Sequence, residues 1–142
     1  MEGLFVLVAA SVGEIIFDIV GLLIVVGWIG WRVYLVYKRR QVSTLLTQEE
    51  FQAGMRKAQI VDVREKKDFD SGHILGARSV PYSTFSQRYK EIREDLPVYL
   101  YDEGKALSTR AALRLARNGY KKIFILTDGY GHWEGKTKAS KY

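Results

Sequence analysis

The sequence contains no cysteine in its 142 residues. That removes disulfides, thiolate metal centres and thiol nucleophiles together, and it is compatible with a reducing compartment. Histidine is nearly absent too. His73 and His132 stand too far apart to argue for a metal site, so no metal ligand is expected and no cofactor is implied. Only two prolines occur. No low-complexity run or internal repeat accompanies them, which excludes a proline-rich spacer or a solenoid. Acidic residues are in the minority, 16 against 22 basic, for a net charge of +6. From Val42 onward the counts are 13 and 18, so the globular part carries +5. A basic domain of this kind can rest on anionic headgroups at roughly 1 kcal/mol per well-placed Lys or Arg. The basic residues are scattered and carry no recognition motif, so no nucleic-acid partner is expected.

Apolar residues are plentiful, at 47%, and unevenly placed. Ile19 to Trp31 holds no charge and eight Leu, Ile or Val residues. These favour insertion into a bilayer by roughly 2–5 kcal/mol in sum. The run extends from Ile15 to Val36, and those residues rise about 33 Å as a helix, enough for a hydrocarbon core of about 30 Å. Asp18 and Arg32 sit near its two ends, where both can snorkel to an interface. Trp28, Trp31, Tyr34 and Tyr37 cluster toward the C-terminal end, as an aromatic belt would.

The flanks predict orientation. Glu2, Glu14 and Asp18 precede the apolar run, and Arg32, Lys38, Arg39 and Arg40 close it. The positive-inside rule places the N-terminus outside and the following domain in the cytoplasm. Met1-Glu2-Gly3 lacks a basic n-region and no small-x-small site follows, so a cleaved signal peptide is not expected. One long tilted helix from about Gly3 to Tyr37 would put Glu14 and Asp18 on one face. They are read as marking the outer boundary, with contact to another membrane protein as the functional alternative. The predicted organisation is a membrane segment at 1–37, a basic linker at 38–41, a folded domain at 42–136 and a basic, frayed tail at 137–142.

Three apolar segments in the domain read as buried strands: Gln59–Val63, Pro97–Tyr101 and Lys122–Leu126. Helical patterns alternate with them. Thr47 and Glu50 have the spacing of a capping box. Tyr82–Asp95 reads as a second helix, and Ser108–Asn118 as a third, closed by Gly119. Strands alternating with helices predict an α/β domain whose mostly parallel sheet is covered on both faces. In such sheets, sites form at the carboxyl ends of strands.

Several motifs in order resemble the rhodanese family. They are Ile60-Val-Asp-Val-Arg64, Asp68-Phe69, Gly72-His73-Ile74, Gly76-Ala77 and Ser79-Val80-Pro81. Tyr101 through Ala112, ahead of Asn118-Gly119-Tyr120, is similar to that family's active-site loop and following helix. Leu126-x-Asp128-Gly129-x-x-x-Trp133 is similar to its closing motif, with Asp128 where a first glycine is usual. The match covers about Val42 to Lys136. It implies a single rhodanese-like domain preceded by one transmembrane helix. Small membrane-anchored rhodanese-like proteins of bacteria are the nearest general likeness. It also implies transfer of a sulfane sulfur through a persulfide on a loop cysteine, held near an arginine and a serine.

Two of those positions depart from the family pattern. Ungapped alignment puts Asp102 at the cysteine position, Leu107 at the arginine position and Ser108 at the serine position. A carboxylate cannot carry a persulfide, and leucine offers no donors to an anionic substrate. Asp102 and Glu103 would also repel an anion approaching to about 4 Å by about 1–4 kcal/mol per charge. The loop Asp102, Glu103, Gly104, Lys105, Ala106, Leu107, Ser108 is therefore read as degenerate, with no catalytic residue. Asp102 is expected to accept backbone N–H bonds ahead of a helix and so fill the anion site itself. A phosphoryl-accepting role for Asp102 would need a metal and a charge clamp, and no second acidic cluster supplies them.

Asp62, Arg64, Gly72, His73, Gly129 and Trp133 are assigned structural roles, and His132 a surface or packing role. The expected function is a membrane-tethered, non-catalytic interaction module. Its partners would be the bilayer and a membrane protein, with Asp102, Glu103, Lys105 and Leu107 as loop contacts. The residues leave the oligomeric state open. Sulfur transfer, or sensing of a cation or small metabolite at the acidic loop, are the competing functions.

Overall fold

The computed structural model describes residues 1–140, Ala10 by its backbone alone. The chain divides into two compact units, Met1–Tyr37 and Lys38–Tyr142. The first consists of α1, which runs Glu2–Val42 and so continues into the second unit. At 1.5 Å per residue α1 is about 62 Å long, twice a hydrocarbon core. Its most apolar stretch has a mean hydropathy of 2.3 and no buried residue, so α1 is long and apolar enough to cross a membrane. Glu14, Asp18 and Arg32 are all exposed on it. The Arg32 guanidinium lies 5.5 Å from the Trp28 ring, and Trp31 packs at 6.0 Å from Tyr34. Residues 38–41, expected as a linker, are part of the same helix.

The second unit is an α/β domain built on a five-stranded sheet. The three segments with a strong strand pattern form its middle: β2 (Gln59–Asp62), β5 (Val98–Tyr101) and β6 (Ile123–Leu126). The edges are β1 (Thr44–Leu46) and β4 (Arg78–Ser79), which are too short to carry a readable alternation. The strands lie in the order β1-β6-β5-β2-β4 and are parallel throughout. Alternation of side chains sends Val61, Val98 and Leu100 into one core, with Phe85, Ile92 and Leu115. Ile60, Tyr99 and Tyr101 enter a second core on the other face, with Phe51, Ile74 and Leu126. Burial on both faces explains the near-continuous apolar runs.

Local chemistry accounts for the helix ends. Thr47 caps α2 (Gln48–Gly54) in a reciprocal capping box, Glu50 N donating to Thr47 Oγ1 at 3.3 Å and Thr47 N to Glu50 Oε2 at 3.2 Å. Phe51 on α2 is fully buried against Tyr99 and Trp133. A short α3 (Lys66–Ser71), not foreseen, leads to β3 (His73–Ile74). α5 (Ala106–Arg117) buries Ser108, Ala111, Ala112 and Leu115, one stripe at helical spacing. It ends in a Schellman motif: Gly119 has φ +92°, Tyr120 N donates to Leu115 O, and Gly119 N to Ala116 O.

Two expectations need correction. Tyr82–Asp95 is not one helix: only α4 (Phe85–Arg88) is α-helical, flanked by single 3₁₀ turns, and Ile92 is extended. Tertiary bonds take the groups a continuous helix would use. The Tyr120 hydroxyl lies 3.1 Å from Tyr89 O and 2.5 Å from Ile92 O, and Arg93 N donates to Gln59 Oε1. The tail is not frayed at its start either. β7 (Thr137–Lys138) pairs antiparallel with β3, and Ser140 N donates to Asp70 O. Residues 141 and 142 of that tail lie outside the described residues.

Candidate functional site

Two turns meet at the carboxyl edge of the sheet. One follows β2 and carries Arg64; the other follows β5 and runs from Asp102 to the start of α5. Asp62 is fully buried and Arg64 is 4% exposed. The guanidinium grips Asp62 in bidentate fashion, Nε 3.1 Å from both carboxylate oxygens and Nη2 2.7 Å from Oδ2. Nη2 also donates to Gly72 O, and Nη1 to Glu103 Oε1, each at 2.7 Å. The ring of Tyr130 lies 4.1 Å from the guanidinium carbon and that of Tyr101 5.7 Å away. Burial alone would lower the Arg64 pKa, but the bonds to Asp62 and Glu103 together outweigh it and hold it above the ordinary value. Burial likewise pushes the Tyr101 phenol well up, aided by the nearby Asp62 carboxylate. Its oxygen accepts from Ile74 N.

The second turn is built around a carboxylate. Asp102 is 4% exposed and turned inward. Its Oδ1 accepts from Ser108 Oγ at 2.6 Å and its Oδ2 from Leu107 N at 3.1 Å. Lys105 occupies the cap position of α5 without a side-chain cap bond, so Asp102 satisfies a free helical N–H from further back. Gly129 closes the turn from the other side. Its φ is +72°, and a Cβ there would sit 2.1 Å from Glu103 O. Tyr130 N donates to Asp102 O at 2.8 Å. Glycine is required at 129 by its backbone conformation and by this approach.

A turn that leads from a strand into a helix can present the helix N–H groups to an anion. Here both oxygens of Asp102 occupy donors within the loop. Asp102 is thus sealed from contact, which corrects its expected place on a docking surface. Glu103, Gly104, Lys105 and Ala106 are exposed and Leu107 is half-buried. Among the described residues no group of three acidic or histidine side chains could hold a metal ion.

The sequence profile of the Rhodanese-like domain family matches residues 47–136, more than half of the chain. The chain belongs to the rhodanese-like domain family. It is 53% identical over 106 residues to an uncharacterized protein of Bacillus subtilis, YqhL, covering 75% of this chain and 83% of that one. The rhodanese-like fold superposes on a rhodanese-related protein from Thermoplasma volcanium with a TM-score of 0.64 at 17% identity, over 68% of this chain and 99% of the other. A thiosulfate sulfurtransferase from Pseudomonas aeruginosa matches at 28% identity and TM-score 0.61, over 68% of this chain and 20% of that one.

The remaining motif residues of this rhodanese-like domain lie close by. His73 stacks on Phe69 at 3.7 Å, and its Nδ1 is 2.7 Å from Phe69 O. A Cβ at Gly72 would lie 2.7 Å from the Tyr130 hydroxyl, so a side chain there would have to displace it. Trp133 packs edge-on against Phe51 and donates from Nε1 to Lys136 O. His132 is exposed, and its carbonyl accepts from the Gln48 side-chain amide. Sequence reasoning missed Tyr130, the cation–π floor under Arg64, and the Arg64–Glu103 pair. An aromatic directly after the closing-motif glycine was the available signal for the first.

Proposed function

We propose that this chain is a membrane-tethered, catalytically silent rhodanese-like domain that docks a membrane-protein partner at the cytoplasmic face. One observation carries the reading: a buried aspartate stands at the cysteine position and spends both oxygens on donors within its own loop. A carboxylate has no sulfur to form a persulfide, and an incoming thiosulfate would find Leu107 N and Ser108 Oγ occupied. Leu107 supplies no guanidinium in compensation. The loop keeps a fixed shape through Asp102, Gly129 and the Arg64–Glu103 bond. It offers Glu103, Gly104, Lys105 and Ala106 to a partner. α1 supports the tether, because an anchored module has a raised effective concentration toward its neighbours.

The competing reading is sulfur transfer, favoured by the likeness to a thiosulfate sulfurtransferase. A thiosulfate-to-cyanide assay of the full chain in detergent separates the two. No turnover above a protein-free control is expected. Turnover, or radiolabelled sulfur held covalently by the chain, overturns the silent reading. On the reading that the loop keeps the family's geometry, the double variant Asp102→Cys, Leu107→Arg is expected to gain persulfide formation, and no sulfur uptake would show that the loop has diverged. Photo-crosslinking in membranes from position 103 is expected to capture one membrane protein reproducibly; none captured removes the docking role.

A further inference from the structure

We propose that the cleft lined by Arg40, Gln41, Thr44, Lys121 and Lys122 binds the phosphate headgroup of an anionic phospholipid. The proposal rests on the tether of the preceding reading and is independent of the loop. The cleft lies wholly within the unit Lys38–Tyr142. Parallel pairing of β1 with β6, Thr44 opposite Phe124, sets the end of α1 beside the turn that precedes β6. Residues some eighty positions apart thereby share one small basin.

The lining holds three cations and no carboxylate. Arg40, Lys121 and Lys122 are exposed, and none takes part in an ion pair among the described residues. Gln41 and Thr44 add neutral donors. The volume is about 190 Å³. That is below the roughly 300–1,000 Å³ of pockets for drug-sized ligands, and it suits a single headgroup. Arg40 follows Tyr37, the last aromatic of the apolar segment, by about 4.5 Å of helical rise. Arg40 thus follows the apolar segment by less than one helical turn, and beside a bilayer a lipid headgroup is present at far higher local concentration than a free anion. The strands run parallel, so the cleft marks the amino edge of the sheet and the Asp102 loop the carboxyl edge. The loop stays clear for a protein partner while the cleft engages lipid.

The test uses the full chain in micelles of a neutral detergent, titrated with short-chain phosphatidylglycerol, short-chain phosphatidylcholine or inorganic phosphate. Amide shifts at Thr44 and Phe124 report occupancy. Phosphatidylglycerol is expected to bind more tightly than either comparator. The triple variant R40Q/K121Q/K122Q is expected to weaken it on the order of 10²-fold, and Lys121→Gln alone roughly 5-fold. A second triple variant, R56Q/K57Q/K67Q, removes the same net charge elsewhere and should leave binding unchanged. Undiminished binding in the first triple variant overturns the site. Equal loss in both variants reduces it to net charge, and equal binding of inorganic phosphate overturns the lipid assignment. Carbonate-resistant pelleting of the chain with membranes reads the tether separately, so failure of the anchor and failure of the cleft are distinguishable.

Discussion

The two turns at the carboxyl edge of the sheet both bury an aspartate, and they do so by different chemistry. Asp62 faces a guanidinium that is itself buried, whereas Asp102 faces a hydroxyl and one backbone N–H. The first turn is a buried ion pair. The second is a helix cap made by a side chain that stands where a reactive thiol would. Their link is Arg64, which reaches from one turn to Glu103 on the other. The difference teaches that one edge of the sheet can bury two carboxylates by two means, a counter-charge for the first and neutral donors for the second. The Asp62–Arg64 turn holds the edge in shape through charge, and the neighbouring loop is held by hydrogen bonds from Ser108 and Leu107 to Asp102.

Asp62→Ala should break the comparison most severely. It leaves Arg64 buried without its main counter-charge, at a cost of about 3–5 kcal/mol. Urea denaturation of the domain should show a large drop in midpoint, and an unchanged midpoint would show that the pair is solvated. Gly129→Ala comes next, because it strikes the link between the turns. A Cβ on a left-handed backbone, driven into Glu103 O, should cost roughly 2–4 kcal/mol. Loss of the Arg64–Glu103 contact in a crystal structure of the variant is the direct check. Asp102→Ala should cost less than Asp62→Ala, roughly 1–3 kcal/mol, since only neutral donors lose their acceptor. Equal costs at positions 62 and 102 would erase the distinction drawn between the turns.

The smallest effect is expected at Tyr101. Its phenol is held above its ordinary value by burial and by Asp62, and Tyr120 is shifted the same way by burial, Glu94 and Tyr89. Below about pH 10 these phenols are protonated whether the domain is folded or not, and they add no pH dependence. Above it the unfolded chain releases protons that the folded domain retains, so stability falls as pH rises. Tyr101→Phe should cost about 1 kcal/mol at neutral pH through the unpaired Ile74 N–H. It should also flatten the alkaline fall in stability. An unaltered pH profile would assign that fall to other groups.

Much of this molecule was readable residue by residue. The apolar run that becomes α1, the three inner strands, the Thr47–Glu50 cap and the Gly119 stop all depend on side chains a few positions apart. Missing thiol chemistry needs only one absent residue type, cysteine, so composition settles it. Folding in three dimensions decided the rest. Asp102 faces inward because Ser108 comes round one turn of α5 to meet it. Arg64 meets Glu103 across thirty-nine positions. The 82–95 segment breaks because Tyr120 and Gln59 compete for its backbone groups, and Arg40 shares a cleft with Lys121 through strand pairing. Short-range periodicity and capping are encoded locally. The direction of a buried carboxylate and the partner of a distant arginine follow from which neighbours packing brings within about 3 Å, and no local pattern records that.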